Sequence, residues 1–167
     1  MPVRSIYLVR HAIAVGHRAA ADDAARPLSP AGRTRMRRAA AGVAALVPGL
    51  DLIVSSPLVR TVETAEILAG AFVVRPSVVT MAALRPGGTA AAVAEGLKAH
   101  AKARSLALVG HEPGLGELAA WLTGAHVPPP FKKGAVCRID APAWPPDAES
   151  TLVWLATPRM LRALGHR

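Results

Sequence analysis

The chain has 167 residues, 51% apolar and 19% charged, which fits one domain over residues 1–167 and leaves too little length for a second catalytic one. Cys137 is the only cysteine, so an intrachain disulfide framework is excluded and a small buried hydrophobe is expected there. Lys and Arg number 20 against 11 Asp and Glu, a formal charge of +9, a balance that attracts nucleic acid, anionic lipid and phosphorylated partners alike. The skew is carried by 16 Arg against 4 Lys in a chain with 35 Ala, as a GC-rich coding sequence produces without selection for binding. With six aromatic residues and no basic run interleaved with rings that stack on bases, nucleic acid is not expected as a partner. No apolar run approaches the ~18 residues a spanning helix needs, and Arg4, Arg10 and His11 interrupt the N-terminus before a signal-peptide core. The expectation is a cytoplasmic protein without membrane association.

Val-, Ile- and Leu-rich runs alternate with longer Ala/Leu/Arg stretches of helical character, the pattern of a layered α/β domain. Ser5 to Val9 reads as the first strand and is followed by a polar loop from His17 to Pro27. Ser29 and Pro30 are a cap and first-turn signal for a helix through Val47. Leu50 to Val54 reads as a second strand; Ser55, Ser56 and Pro57 repeat the cap signal for a helix to about Ala69. Phe72 to Val74 is predicted as a third strand, Thr89 to Ala103 as helix and Ser105 to Val109 as a fourth strand. A helix from Pro113 to about Thr123 and a connection with Pro128, Pro129 and Pro130 come next. Ala135 to Ile139 and Thr151 to Ala156 then read as a closing hairpin or paired strands. No internal repeat or interdomain linker is visible.

Two segments share one form, Leu8-Val9-Arg10-His11 and Leu108-Val109-Gly110-His111. Each places a histidine just past a buried-strand pattern, and parallel strand ends share the sheet edge where ligands bind. Arg10 and His11 point to opposite faces if both are in a strand, so the chain must be turning there for both to reach one ligand. After the second strand, the helix N-terminus and Arg60 are suited to an anion; Arg60 has the alternative of a surface pair with Glu63 or Thr64. Two arginines and two histidines on one edge describe a phosphoryl pocket, because guanidinium groups bind phosphate bidentately.

Arg10-His11-Ala12, Ser56-Pro57 with Arg60, and Gly110-His111 resemble the histidine phosphatase superfamily, the group with an Arg-His-Gly signature. Within it the chain is most similar to the compact bacterial phosphohistidine phosphatases of SixA type. Arg26-Pro27-Leu28-Ser29 with Gly32, Leu84-Arg85-Pro86-Gly87-Gly88, and Phe131-Lys132-Lys133-Gly134-Ala135 extend the similarity over nearly the whole chain, in order. The resemblance implies a three-layer α/β/α sandwich around a mostly parallel central sheet, as in phosphoglycerate mutase. It also implies a covalent mechanism in which His11 attacks phosphorus, with Arg10, Arg60 and His111 on the non-bridging oxygens and Arg26 a further substrate-binding candidate. Neutral imidazole is a competent nucleophile near neutral pH. No metal or other cofactor is expected, since His111-Glu112 lacks a second ligand at metal spacing.

Two positions depart from the pattern. Ala12 replaces the usual glycine, so the turn there cannot rely on positive φ. The run Met81-Ala82-Ala83-Leu84 lacks the Glu that the wider superfamily often carries, leaving Asp22, Asp23 and Glu112 as loop carboxylates that could approach the pocket. The expected function is removal of phosphoryl groups from phosphohistidine on proteins. Phosphatases of small phosphoesters or phosphoanhydrides and a basic phosphate-binding module without turnover stay open, as does the oligomeric state.

Overall fold

A computed structural model describes residues 2–166. Six strands form one sheet in the order β3-β2-β4-β1-β5-β6: β1 (Arg4–Arg10), β2 (Leu52–Ser55), β3 (Ser77–Thr80), β4 (Ser105–Gly110), β5 (Val136–Ala141) and β6 (Thr151–Ala156). The first four run parallel, while β5 is antiparallel to β1 and β6 antiparallel to β5. The late paired strands are therefore present, as an antiparallel extension of a parallel sheet.

The pleat of β1 explains the layering. Successive side chains point to opposite faces: Tyr7 and Val9 join one apolar cluster, with α1 (Pro30–Leu46) and α2 (Val59–Ala69), while Ile6 and Leu8 join another, with α3 (Ala90–Leu97) and α4 (Gly114–Thr123). Because both faces are covered, the parallel strands read as unbroken apolar runs. A last helix, α5 (Pro158–Leu164), packs on α1 and buries Leu161. The fold is the three-layer α/β/α sandwich. Cys137 lies fully buried on β5, and burial pushes its thiol up to about 12, as expected of a buried hydrophobe.

Several boundaries differ from the sequence reading. Phe72 to Val74 is not a strand: Phe72 turns into the core just after α2, whereas Val73 and Val74 are fully exposed. The third strand is Ser77–Thr80, a sheet edge paired only with β2, where polar ends cost little. The helix read over Thr89 to Ala103 ends at Leu97 and continues as a short 3-10 turn, Lys98–His100. α2 begins at Val59 rather than beside Ser55 and Ser56, and no side chain caps it. α5, seven residues opened by Thr157 and Pro158, is too short to stand out by periodicity.

Candidate active site

Parallel register builds the site. Arg10 on β1 is paired with Gly110 on β4, and Ser55 on β2 with Val109, so His11 and His111 leave adjacent strands at one level, and Ser56 leaves β2 one residue earlier, level with Gly110. Neighbouring strands are about 4.8 Å apart, and the His11 and His111 ring centroids lie 5.3 Å apart. The sheet order supplies the rest: β4 is inserted between β1 and β2, a crossover of the kind that opens a ligand crevice at strand ends. The two histidines do meet.

His11 is buried, and its Nδ1 donates to the carbonyl of its neighbour Ala12 at 2.7 Å. A ring nitrogen that donates carries the proton, so the lone pair resides on Nε2. Loss of hydration by burial pushes this imidazole down to about 3, with His111, Arg60 and Arg10 adding repulsion and the Ala12 carbonyl opposing them. The ring is therefore neutral over the physiological range. Ala12 fits its turn because no described residue other than glycine has positive φ; its N–H donates to Thr64 Oγ1 at 3.1 Å, and Thr64 in turn donates to the Arg60 carbonyl at 2.7 Å. The departure from glycine thus places no strain on the loop.

His111 is held from β2. Its Nε2 shares a 2.9 Å hydrogen bond with the Ser56 hydroxyl, while Nδ1 is buried with no partner among the described residues. Burial, followed by repulsion from Arg60, pushes this imidazole down to about 4. Ser56 reads from sequence as a helix cap, yet its hydroxyl lies 3.5 Å from the Leu58 N–H and serves the histidine at shorter range.

Arg60 is 4% exposed, and its guanidinium pairs with neither Glu63 nor Thr64. Its guanidinium donates to the Asp23 carbonyl at 2.7 Å and to the Asp23 carboxylate at 3.1 Å, whereas Glu63 accepts from Arg33 and from the Leu28 N–H. The helix N-terminus contributes less than expected, since the Val59 N–H is spent on the Ala24 carbonyl. Arg10 is anchored by a 2.7 Å bond to the Phe131 carbonyl. The Nε atoms of Arg10 and Arg60, like His111 Nδ1, are buried without a partner among the described residues. Arg26 donates to Asp23 Oδ1 at 2.9 Å and to the Val15 carbonyl at 3.0 Å, so it reaches the site through Asp23.

The three loop carboxylates separate clearly. Hydrogen bonds from Arg26, then Arg60, hold Asp23 below the usual carboxylate range, which makes it an anchor rather than a proton donor. Asp22 is exposed and accepts from the Ala25 N–H. Burial raises Glu112, which accepts from the Gly116 N–H at 2.8 Å and, with His111, lines a groove of about 430 Å³. Leu84, Gly88 and Trp121 line that groove too. A second groove, of about 610 Å³, opens beside Arg10.

The model of the histidine phosphatase superfamily (branch 1) matches residues 6–86. An uncharacterized protein of Picosynechococcus sp. is 37% identical over 128 residues, 73% of this chain and 77% of the relative. Among solved structures, the protein histidine phosphatase SixA complexed with tungstate matches with a TM-score of 0.81 at 24% identity, over 93% of this chain and 97% of the other. A mycobacterial glucosyl-3-phosphoglycerate phosphatase matches with a TM-score of 0.69 at 20% identity, over 91% and 98%. At such identities the two structures share the fold.

Proposed function

The chain belongs to the histidine phosphatase superfamily, whose chemistry is hydrolysis at phosphoryl groups, and we propose that within it this protein dephosphorylates phosphohistidine with His11 as nucleophile. The observation that carries this reading is a neutral imidazole with its lone pair on Nε2, set beside three groups with a buried nitrogen that has no partner among the described residues, Arg10 Nε, Arg60 Nε and His111 Nδ1. Nε2 attacks phosphorus, the bond from phosphorus to the leaving group breaks, and the phosphoryl group stays on His11 until water releases it. The two guanidinium groups and His111 Nδ1 hold the non-bridging oxygens and offset their charge in the transition state. If Ser56 donates to His111 Nε2, the ring proton is on Nδ1, where an oxygen can accept it.

The substrate class follows from the leaving group. An alkoxide needs a proton as it departs, a service worth about 10²–10⁴-fold in rate. The turn Ala82–Leu84 holds no carboxylate, and Asp23 is committed to two arginines. Imidazole leaving from phosphohistidine departs neutral when its second nitrogen is protonated, and needs little help. One observation favours a second reading, small phosphoesters: the raised Glu112 beside His111 is the carboxyl best suited to donate a proton.

The test compares kcat/KM for a phosphohistidine peptide, an aryl phosphate and an alkyl phosphate. We expect the first two to be turned over and the alkyl ester to lag by about 10²–10⁴-fold. His11→Ala should abolish acid-labile labelling yet retain some phosphate affinity. Efficient alkyl ester hydrolysis that Glu112→Gln does not reduce overturns the phosphohistidine reading, and phosphate binding with no turnover of any substrate returns the chain to a binding module.

A further inference from the structure

Arg10, Arg35, Lys132, Lys133, Arg159 and Arg162 line the groove of about 610 Å³, and no acidic side chain lines it. They come from the end of β1, from α1, from the loop before β5 and from α5. Elsewhere several surface cations are matched, Arg33 with Glu63, Arg75 with Glu66, Lys98 with Glu95 and Arg138 with Asp140, while Arg18, Arg37, Arg38, Arg85, Lys102 and Arg104 are exposed without an ion pair among the described residues. None of the six groove cations takes part in an ion pair among the described residues. Compositional skew alone scatters arginine over the surface; it does not gather unpaired cations from four segments into one concavity.

Two features choose the occupant. Four of the six groove cations, Arg35, Lys132, Lys133 and Arg159, are exposed, and Arg10 and Arg162 are half-buried, so the groove attracts charge at many points but lacks the fully buried, fixed donors that orient a small ligand. Arg10 belongs both to the groove and to the phosphoryl site, so an occupant of the groove is continuous with the reacting group. An extended acidic segment fits both, since it presents carboxylates along its length. We propose that the groove docks an acidic stretch of the polypeptide that carries the phosphohistidine. Charge outside the reacting centre then selects the substrate. The inference rests on the phosphohistidine reading above.

Two synthetic phosphohistidine peptides, identical except for a glutamate-rich or a glutamine-rich flank, test it, with an aryl phosphate as the control that ignores the groove. The wild-type protein should prefer the acidic peptide by about tenfold in kcat/KM at low salt, and lose the preference at high salt. Arg159→Glu with Arg162→Glu, and separately Lys132→Glu with Lys133→Glu, should abolish the preference while aryl phosphate turnover persists. The pairs lie on different elements, and the aryl control reports that each variant is folded. Equal turnover of both peptides, or a preference that survives in both variants, overturns the docking proposal alone. Turnover of the aryl phosphate with neither peptide cleaved overturns the phosphohistidine reading, and this inference with it.

Discussion

One hydroxyl governs how His111 is presented. The Ser56 side chain is fully buried and sits 2.9 Å from Nε2, so it holds the imidazole in one orientation by a hydrogen bond that serves either tautomer. Removing a partner of a buried polar group costs about 1–3 kcal/mol. Ser56→Ala should therefore lower kcat by about tenfold or more, with a smaller change in KM, and lower the urea midpoint by the equivalent of about 1–3 kcal/mol. An unaltered kcat would show that His111 needs no such support. Nothing in the dipeptide Ser56-Pro57 distinguishes a histidine partner from a helix cap; the distinction arises because β2 and β4 are in register.

At the scale of elements, the site depends on how closely α1 approaches the loop after His11. The Ile13 carbonyl accepts from the Ser29 N–H at 2.9 Å, and Ser29 caps α1 by accepting from the Gly32 N–H at 2.9 Å. A Cβ at Gly32 would lie 2.0 Å from the Ile13 oxygen, a clash with backbone that cannot swing aside. Gly32→Ala should destabilise the fold by about 1–3 kcal/mol, as overpacking does, and lower turnover because the displaced loop carries His11. Urea denaturation and aryl phosphate kinetics check both parts, and wild-type stability would contradict the contact. The helix start at Pro30 was legible from Ser29-Pro30. The reason for glycine three residues after the cap was not, because Ile13 is distant in sequence. The misread third strand has the same origin: Val73 and Val74 carry strand propensity, but β3 forms where β2 offers an edge, and partners decide strands more than propensity does.

For the whole molecule, the buried histidines make stability depend on pH. Their folded values, about 3 for His11 and about 4 for His111, lie below the ordinary value near 6.5. The unfolded chain thus takes up protons on both as pH falls through about 6.5, while the folded chain does not until pH 4 to 3. Stability should be highest above that upper limit and decline below it, by up to about 1.4 kcal/mol per pH unit for each histidine. Urea unfolding between pH 7.5 and 5 reads this window before carboxylates such as Asp23 begin to titrate. A variant with His11→Asn and His111→Asn should show a flatter profile, and an equal slope in both proteins would assign the effect elsewhere. No helix among the described residues is long and apolar enough to cross a membrane.

By itself the sequence determined the layered α/β fold and the set of residues at its ligand edge. Both follow from short-range information: apolar runs of strand length, the Ser29-Pro30 cap signal, and two histidines each two residues past a run. Only the tertiary structure decided which partner each group takes. Asp23 holds Arg60 across 37 positions, the Phe131 carbonyl anchors Arg10 across 121, and Ser56 meets His111 across 55. Contacts of that range depend on strand order and register, and sheet register places His11 level with His111 and Ser56 one residue from that level. The unpaired cations on β1, α1, the loop before β5 and α5 come together for the same reason: the packing of distant elements, not any local pattern, makes them one surface.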